Sequence, residues 1–190
     1  MEQFNISVFL FINQFAGNNT LIDQILISLA QATPYIFIVI LALLWFSGNL
    51  AKMTSSFQAG LAVLLGMLTS YVISLFYYHS RPFVQGLGTQ LVEHAPDSSF
   101  PSDHTTFIFC IAIMLLFSKS TRSLAYVLSG VSLISGLSRV YVGVHFPLDI
   151  VGAILVAITS SIVVFSLRHK TKWLLSLLVK IIPFCAVKKV

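Results

Sequence analysis

Long apolar runs interrupted by short polar clusters dominate this chain. A helix needs about 20 largely apolar residues to cross a bilayer. Five stretches approach that length with their flanks: residues 33–47, 57–78, 104–117, 124–142 and 150–167. The pattern predicts an all-α polytopic bundle with five clear spans. The first and third stretches are short, so their polar flanks are expected to reach into the headgroup zone. A sixth helix is less defined: residues 6–15 are apolar but brief, and Asn18, Asn19, Asp23 and Gln24 interrupt the apolar pattern after them. That segment spans, re-enters or lies flat, and the sequence leaves all three open. With no internal repeat and no long linker, the expectation is one membrane-embedded domain over residues 1–190, with the polar clusters concentrated in residues 74–149.

Composition agrees with the pattern: 57% of the 190 residues are hydrophobic and only 9% charged, far from the balance of a soluble domain. The net charge of +5 would suit nucleic acid or an anionic bilayer surface, and its distribution decides for the bilayer. Counting spans from Lys52, one side collects Lys52, Lys119, Arg122, Arg168, Lys170, Lys172, Lys180, Lys188 and Lys189. The other receives only Arg81 and Arg139. The positive-inside rule makes the first side cytoplasmic and places the loop of residues 80–103 outside, together with the turn of residues 143–147. Residues 170–190 mix Trp173 and aliphatic residues with lysines, as an interfacial amphipathic helix would. Cys110 and Cys185 suggest no disulfide framework and no catalytic role, and no cleavable signal peptide is evident.

Ionisable residues at or inside a membrane are costly, which makes them functional candidates. Three clusters qualify, and span parity brings all of them to the outer face. They are Arg81-Pro82; Pro101-Ser102-Asp103-His104; and Ser138-Arg139 with His145 and Asp149. The planar forks of two arginines match phosphate oxygens. Ser102 adds a hydroxyl, and the helix opening near His104 presents backbone N–H groups to an anion. His145 precedes Pro147, which suits a first helical turn, and Asp149 lies four residues on, placed to hold one imidazole nitrogen. The other nitrogen would be free to attack phosphorus, with His104 protonating the departing oxygen and later activating water. This scheme requires neither metal nor cofactor. Taken singly, the arginines suit snorkelling, Ser138 suits hydrogen bonding within the bundle, and Asp23 and Asn19 suit helix capping or a headgroup contact. Glu93, His94 and Asp97 fall in the outer loop and are expected to be solvated there.

Arg81-Pro82, Pro101-Ser102-x-His104 and Ser138-Arg139-x5-His145-x3-Asp149 resemble, in order, the three motifs of the type-2 phosphatidic acid phosphatase superfamily. The resemblance covers about 70 residues by count from Arg81 to Asp149. It implies a metal-independent helical-bundle enzyme in which His145 is the nucleophile, Asp149 its partner and His104 the acid. Arg81, Ser102 and Arg139 would hold phosphate, with Pro101, Asp103, Ser138 and His79 as further members of the site. The short chain, the Tyr-His-x-Arg-Pro-Phe run at 78–83 and Asp103 are most similar to bacterial undecaprenyl pyrophosphate phosphatases of the bacitracin-resistance type.

Two positions depart from the superfamily pattern. Ser74 stands where a motif lysine is usual, and Asp103 where glycine is common. Either His79 or a different clamp geometry compensates for the missing cation, or His79 is a membrane-edge residue with no role. The substrate implied is a polyprenyl pyrophosphate in the outer leaflet of a bacterial cytoplasmic membrane. Phosphatidylglycerophosphate, phosphatidic acid and lipid A phosphates remain open, as do a phosphotransferase and, from another class, an anionic-lipid flippase.

Overall fold

A computed structural model describes residues 2–181. Among them all regular structure is helical: α1 (Glu2–Asn13), α2 (Thr20–Trp45), α3 (Leu50–Phe76), α4 (Asp103–Leu116), α5 (Arg122–Tyr141), α6 (Pro147–Ser166) and α7 (Arg168–Ile181). One 3-10 turn, Pro82–Gln85, lies in the loop between α3 and α4. Side-chain amides of asparagine start the two longest helices. Asn19 Oδ1 accepts from the backbone N–H groups of Leu21 and Ile22, and Asn49 Oδ1 from those of Ala51 and Lys52. The polar residues that interrupt the N-terminal apolar pattern therefore belong to a helix. Asn19 caps it, and Asp23 is buried against the Tyr141 hydroxyl at 2.7 Å. The first span consequently begins at Thr20, 13 residues before the expected position 33.

Four helices, α2, α3, α5 and α6, are long and apolar enough to cross a membrane. The expected fifth span is the 14-residue α4. At 1.5 Å per residue it extends about 21 Å, less than the roughly 30 Å of a hydrocarbon core. Burial explains why it is apolar all the same: Ile108, Cys110, Ile111, Ala112, Met114 and Leu115 are enclosed, and α4 packs against α2, α3, α5 and α6. Because α4 still joins the two ends of the bundle, the parity argument survives its shortness. The end of α3, the start of α4, the end of α5 and the start of α6 meet on one side.

The N-terminal segment is helix α1, 12 residues and too short to span. It bridges the ends of α5 and α6. Asn5 Oδ1 accepts from the Leu148 N–H, Asn13 Nδ2 donates to the Tyr141 carbonyl, and Phe9 packs edge-on against Phe146 at 5.3 Å. At the opposite end α7 docks on α3 through Gln58 Nε2, which donates to Thr171 Oγ1. Its first residues carry the expected amphipathic character, with Leu175 buried and Trp173 exposed. The remainder of that expected tail, including Cys185, Lys188 and Lys189, lies outside the described residues.

Candidate active site at one end of the bundle

Gly143 sets the turn that carries His145. Its φ of +83° lies in the left-handed region, and a Cβ there would run into the Thr89 carbonyl, so glycine lets the loop between α3 and α4 sit directly on the turn. The Leu91 N–H donates to the Val142 carbonyl across this contact. Pro147 then opens α6, and Asp149 Oδ2 accepts from the Phe146 N–H at 2.7 Å, which orients the carboxylate back toward the turn.

His145 is buried, and its two ring nitrogens face different chemistry. Nδ1 lies 3.0 Å from the Ser99 carbonyl, an acceptor only, so Nδ1 carries the proton and donates. Nε2 lies 3.2 Å from Arg81 Nη1, a donor only, so Nε2 presents its lone pair. Both neighbours fix the same tautomer. Burial pushes the imidazole well below its ordinary titration range, against the pull of Asp149, and the ring is neutral at pH 7.

The expected partner, Asp149, approaches Nδ1 only to 3.5 Å and acts through Ser99 as well. The Ser99 hydroxyl donates to Asp149 Oδ2 and lies 3.3 Å from His145 Nδ1. Ser99 is thus the residue that the sequence did not single out. Nothing in the run Ser98-Ser99-Phe100 marks one serine over the other; only the fold of the outer loop brings it to the histidine.

His79 is placed on the same carboxylate, with Nδ1 3.3 Å from Asp149 Oδ1. The Asp149 carboxylate beside it holds its pKa above the ordinary value of about 6.5, against desolvation. The folded value exceeds the unfolded one. The stability it contributes is therefore complete below the ordinary pKa and lost as pH rises through the folded value. An NMR titration of the ring should show a raised midpoint that falls back when Asp149→Asn removes the charge. An unchanged midpoint would refute the pairing.

The two arginines differ sharply. Arg81, 4% exposed, is fully engaged: Nε donates to Asp97 Oδ1 at 2.8 Å, Nη1 to the Val144 carbonyl at 2.9 Å and Nη2 to the Ser98 carbonyl at 3.3 Å. Asp97, expected to be merely solvated, is the carboxylate that holds it. His94, also expected to be solvated, lies with its ring 6.2 Å from that of His145. Arg139, 2% exposed, has only a 3.4 Å contact from Nη1 to the Ala30 carbonyl, and among the described residues Nε and Nη2 have no partner. A buried guanidinium with idle donors is costly unless an anion completes it. The hydroxyl of Ser102, the residue before α4, is likewise buried without a partner.

The other expected members are distributed unevenly. His104 is on the first turn of α4, near enough to Arg139, His94 and Arg81 for their charges to act on it. Asp103 is exposed on the same turn, and among the described residues it makes no ion pair. Pro101 is buried just ahead of Ser102. Ser138 donates to the Ile134 carbonyl in its own helix, so that proton is committed to α5. Ser74 donates to the Tyr71 carbonyl within α3. Buried cationic donors around a neutral imidazole whose unprotonated nitrogen faces them suit transfer of a phosphoryl group to nitrogen, once Arg81 gives up its contact with that nitrogen.

Residues 55–173 match the PAP2 superfamily. The chain is 32% identical over 177 residues to the undecaprenyl-diphosphatase BcrC of Bacillus subtilis (strain 168), covering 93% of this chain and 91% of the relative. It is 29% identical to the bacitracin transport permease protein BcrC of Bacillus licheniformis, with 86% and 80% covered. The crystal structure of Aquifex aeolicus LpxE superposes with a TM-score of 0.74 at 25% identity, over 86% of this chain and 95% of that one. With four apolar helices of spanning length, three motifs gathered at one bundle end and this family match, the chain is a multi-pass membrane protein that belongs to the PAP2 superfamily of lipid phosphatases.

Proposed function

We propose that this protein hydrolyses undecaprenyl diphosphate to undecaprenyl phosphate and inorganic phosphate through a phosphohistidine on His145. The observation that carries the mechanism is the fixed tautomer: Nδ1–H donates to Ser99 and Nε2 is left as the nucleophile. In the first step Nε2 bonds to the terminal phosphorus while the bridging P–O bond breaks, and His104, whose protonated form burial and the neighbouring positive charges disfavour until the anionic substrate binds, gives its proton to the departing lipid phosphate. The ring becomes cationic, and the Asp149 carboxylate stabilises it. In the second step His104 takes a proton from water, whose oxygen displaces the nitrogen and releases phosphate. Arg139 Nε and Nη2 and the Ser102 hydroxyl bind the phosphoryl oxygens throughout, with the N–H groups opening α4 behind them, while Arg81 holds His145 and the surrounding loop in place.

The choice of substrate rests on the relative named as an undecaprenyl-diphosphatase and on a site at one end of a bundle of apolar helices, where a spanning bundle would meet lipid headgroups. The basic residues Lys52, Lys119, Arg122, Arg168, Lys170 and Lys172 cluster at the end opposite the site, which supports an outward-facing centre in a bacterial cytoplasmic membrane. Neither a carrier of anionic lipids nor a permease, the word in the other relative's name, has need of a nucleophile held in one tautomer.

Purified protein in detergent should release phosphate from undecaprenyl diphosphate faster than from phosphatidylglycerophosphate or phosphatidic acid. Preference for either of those two would replace the substrate. Absence of release from all three, with lipid movement in vesicles, would replace the activity.

A further inference from the structure

Helix α2 continues through Pro34 and packs against α5. In a regular helix the N–H of residue 34 would donate to the carbonyl of Ala30, but proline has no N–H to give. The Ala30 carbonyl is thereby freed in a fully buried place, and the group that reaches it is Arg139 Nη1, at 3.4 Å. Two further contacts hold α5 on α2 on either side of this one. Ser135 Oγ donates to the Leu29 carbonyl at 3.0 Å, and the Tyr141 hydroxyl donates to Asp23 Oδ1 at 2.7 Å. These fix the register of the two helices and bring the free carbonyl to the guanidinium.

We propose that Pro34 is a positioning residue for phosphate binding: by withholding its N–H it reserves the Ala30 carbonyl for Arg139 and so orients that arginine. With Nη1 anchored on the backbone of α2, the planar fork cannot rotate freely. Nε and Nη2, which have no partner among the described residues, stay directed away from the α2 contact. Without the anchor, the buried side chain would satisfy its donors on whatever carbonyl it reached, and a phosphate would have to reorganise it. The inference rests on the reading that Arg139 binds phosphate.

The test uses orthovanadate, whose affinity for the purified full chain in detergent is read from thermal stabilisation, with no substrate required. Pro34→Ala and Pro34→Gly both restore the competing N–H, yet alanine favours a helix and glycine disfavours it. Both should weaken vanadate binding alike, by about five-fold, the scale of one modest hydrogen bond. Neither should weaken it further in an Arg139→Ala background. Weakening by Gly alone, tracking lost stability, would overturn the proposal, as would an additive loss in that background. If Arg139→Ala itself leaves vanadate binding intact, the phosphate role of Arg139 fails and the proposal with it.

Discussion

His145→Ala should lower phosphate release from the lipid diphosphate on the order of ten-thousand-fold or more, because in the proposed mechanism it removes the atom that bonds to phosphorus. Fold and lipid binding should persist. The ring occupies a buried slot against Ser99 and Val144, but the Asp149 carboxylate keeps its bonds from the Ser99 hydroxyl and the Phe146 N–H. The check is a single-turnover experiment with substrate labelled in the terminal phosphate. Wild type should carry an acid-labile, base-stable label on protein, and the mutant none. Label persisting in the mutant would move the nucleophile elsewhere, with His104 the first residue to test.

Arg139→Met carries two expected results of opposite sign. Activity should fall about 100- to 1000-fold, since the unpartnered donors Nε and Nη2 are the part of the site preorganised for developing charge on the phosphoryl oxygens. Stability of the ligand-free protein should rise by about 1 kcal/mol, because the desolvation saved by replacing a buried cation with methionine outweighs the cost of leaving the Ala30 carbonyl without its long 3.4 Å contact. Thermal unfolding with and without vanadate reads both. The variant should unfold at a higher temperature than wild type alone and gain nothing from the anion. A less stable variant would mean that Arg139 is held by the fold and not reserved for a ligand.

Arg81 offers the contrast. Its donors are spent on Asp97, Val144, Ser98 and His145, so its removal would loosen the outer loop and the nucleophile together as well as the phosphate site. Two arginines that look equivalent in a motif thus differ in what they cost the folded protein. Their sequence neighbours do not reveal it, because their partners lie in α2, in the loop before α4 and in the turn before α6.

Alternation of apolar runs and charge clusters was enough to predict a helical membrane bundle, the ends of α3, α5 and α6 within a few residues, and the gathering of three motifs at one end. Those properties depend on local composition and on counting crossings, and both are written along the chain. The start of α2 was misplaced for the opposite reason. Asn19 and Asp23 look like breaks until a cap and the Tyr141 hydroxyl satisfy them. Similarly, α4 reads as a short span because hydropathy cannot distinguish a helix facing lipid from one enclosed by its neighbours.

The sequence by itself determined the family, the bundle and the identities of the chemical groups, since motif spacing and hydrophobic periodicity are local quantities. Only the tertiary structure decided which nitrogen of His145 is free, that Ser99 stands between it and Asp149, that His79 joins the same carboxylate, and that Arg139 hangs from a carbonyl released by Pro34. Each of these is a contact between residues distant in the chain, set by packing of whole helices, and hydrogen-bond partners at that range leave no periodic trace in the order of amino acids.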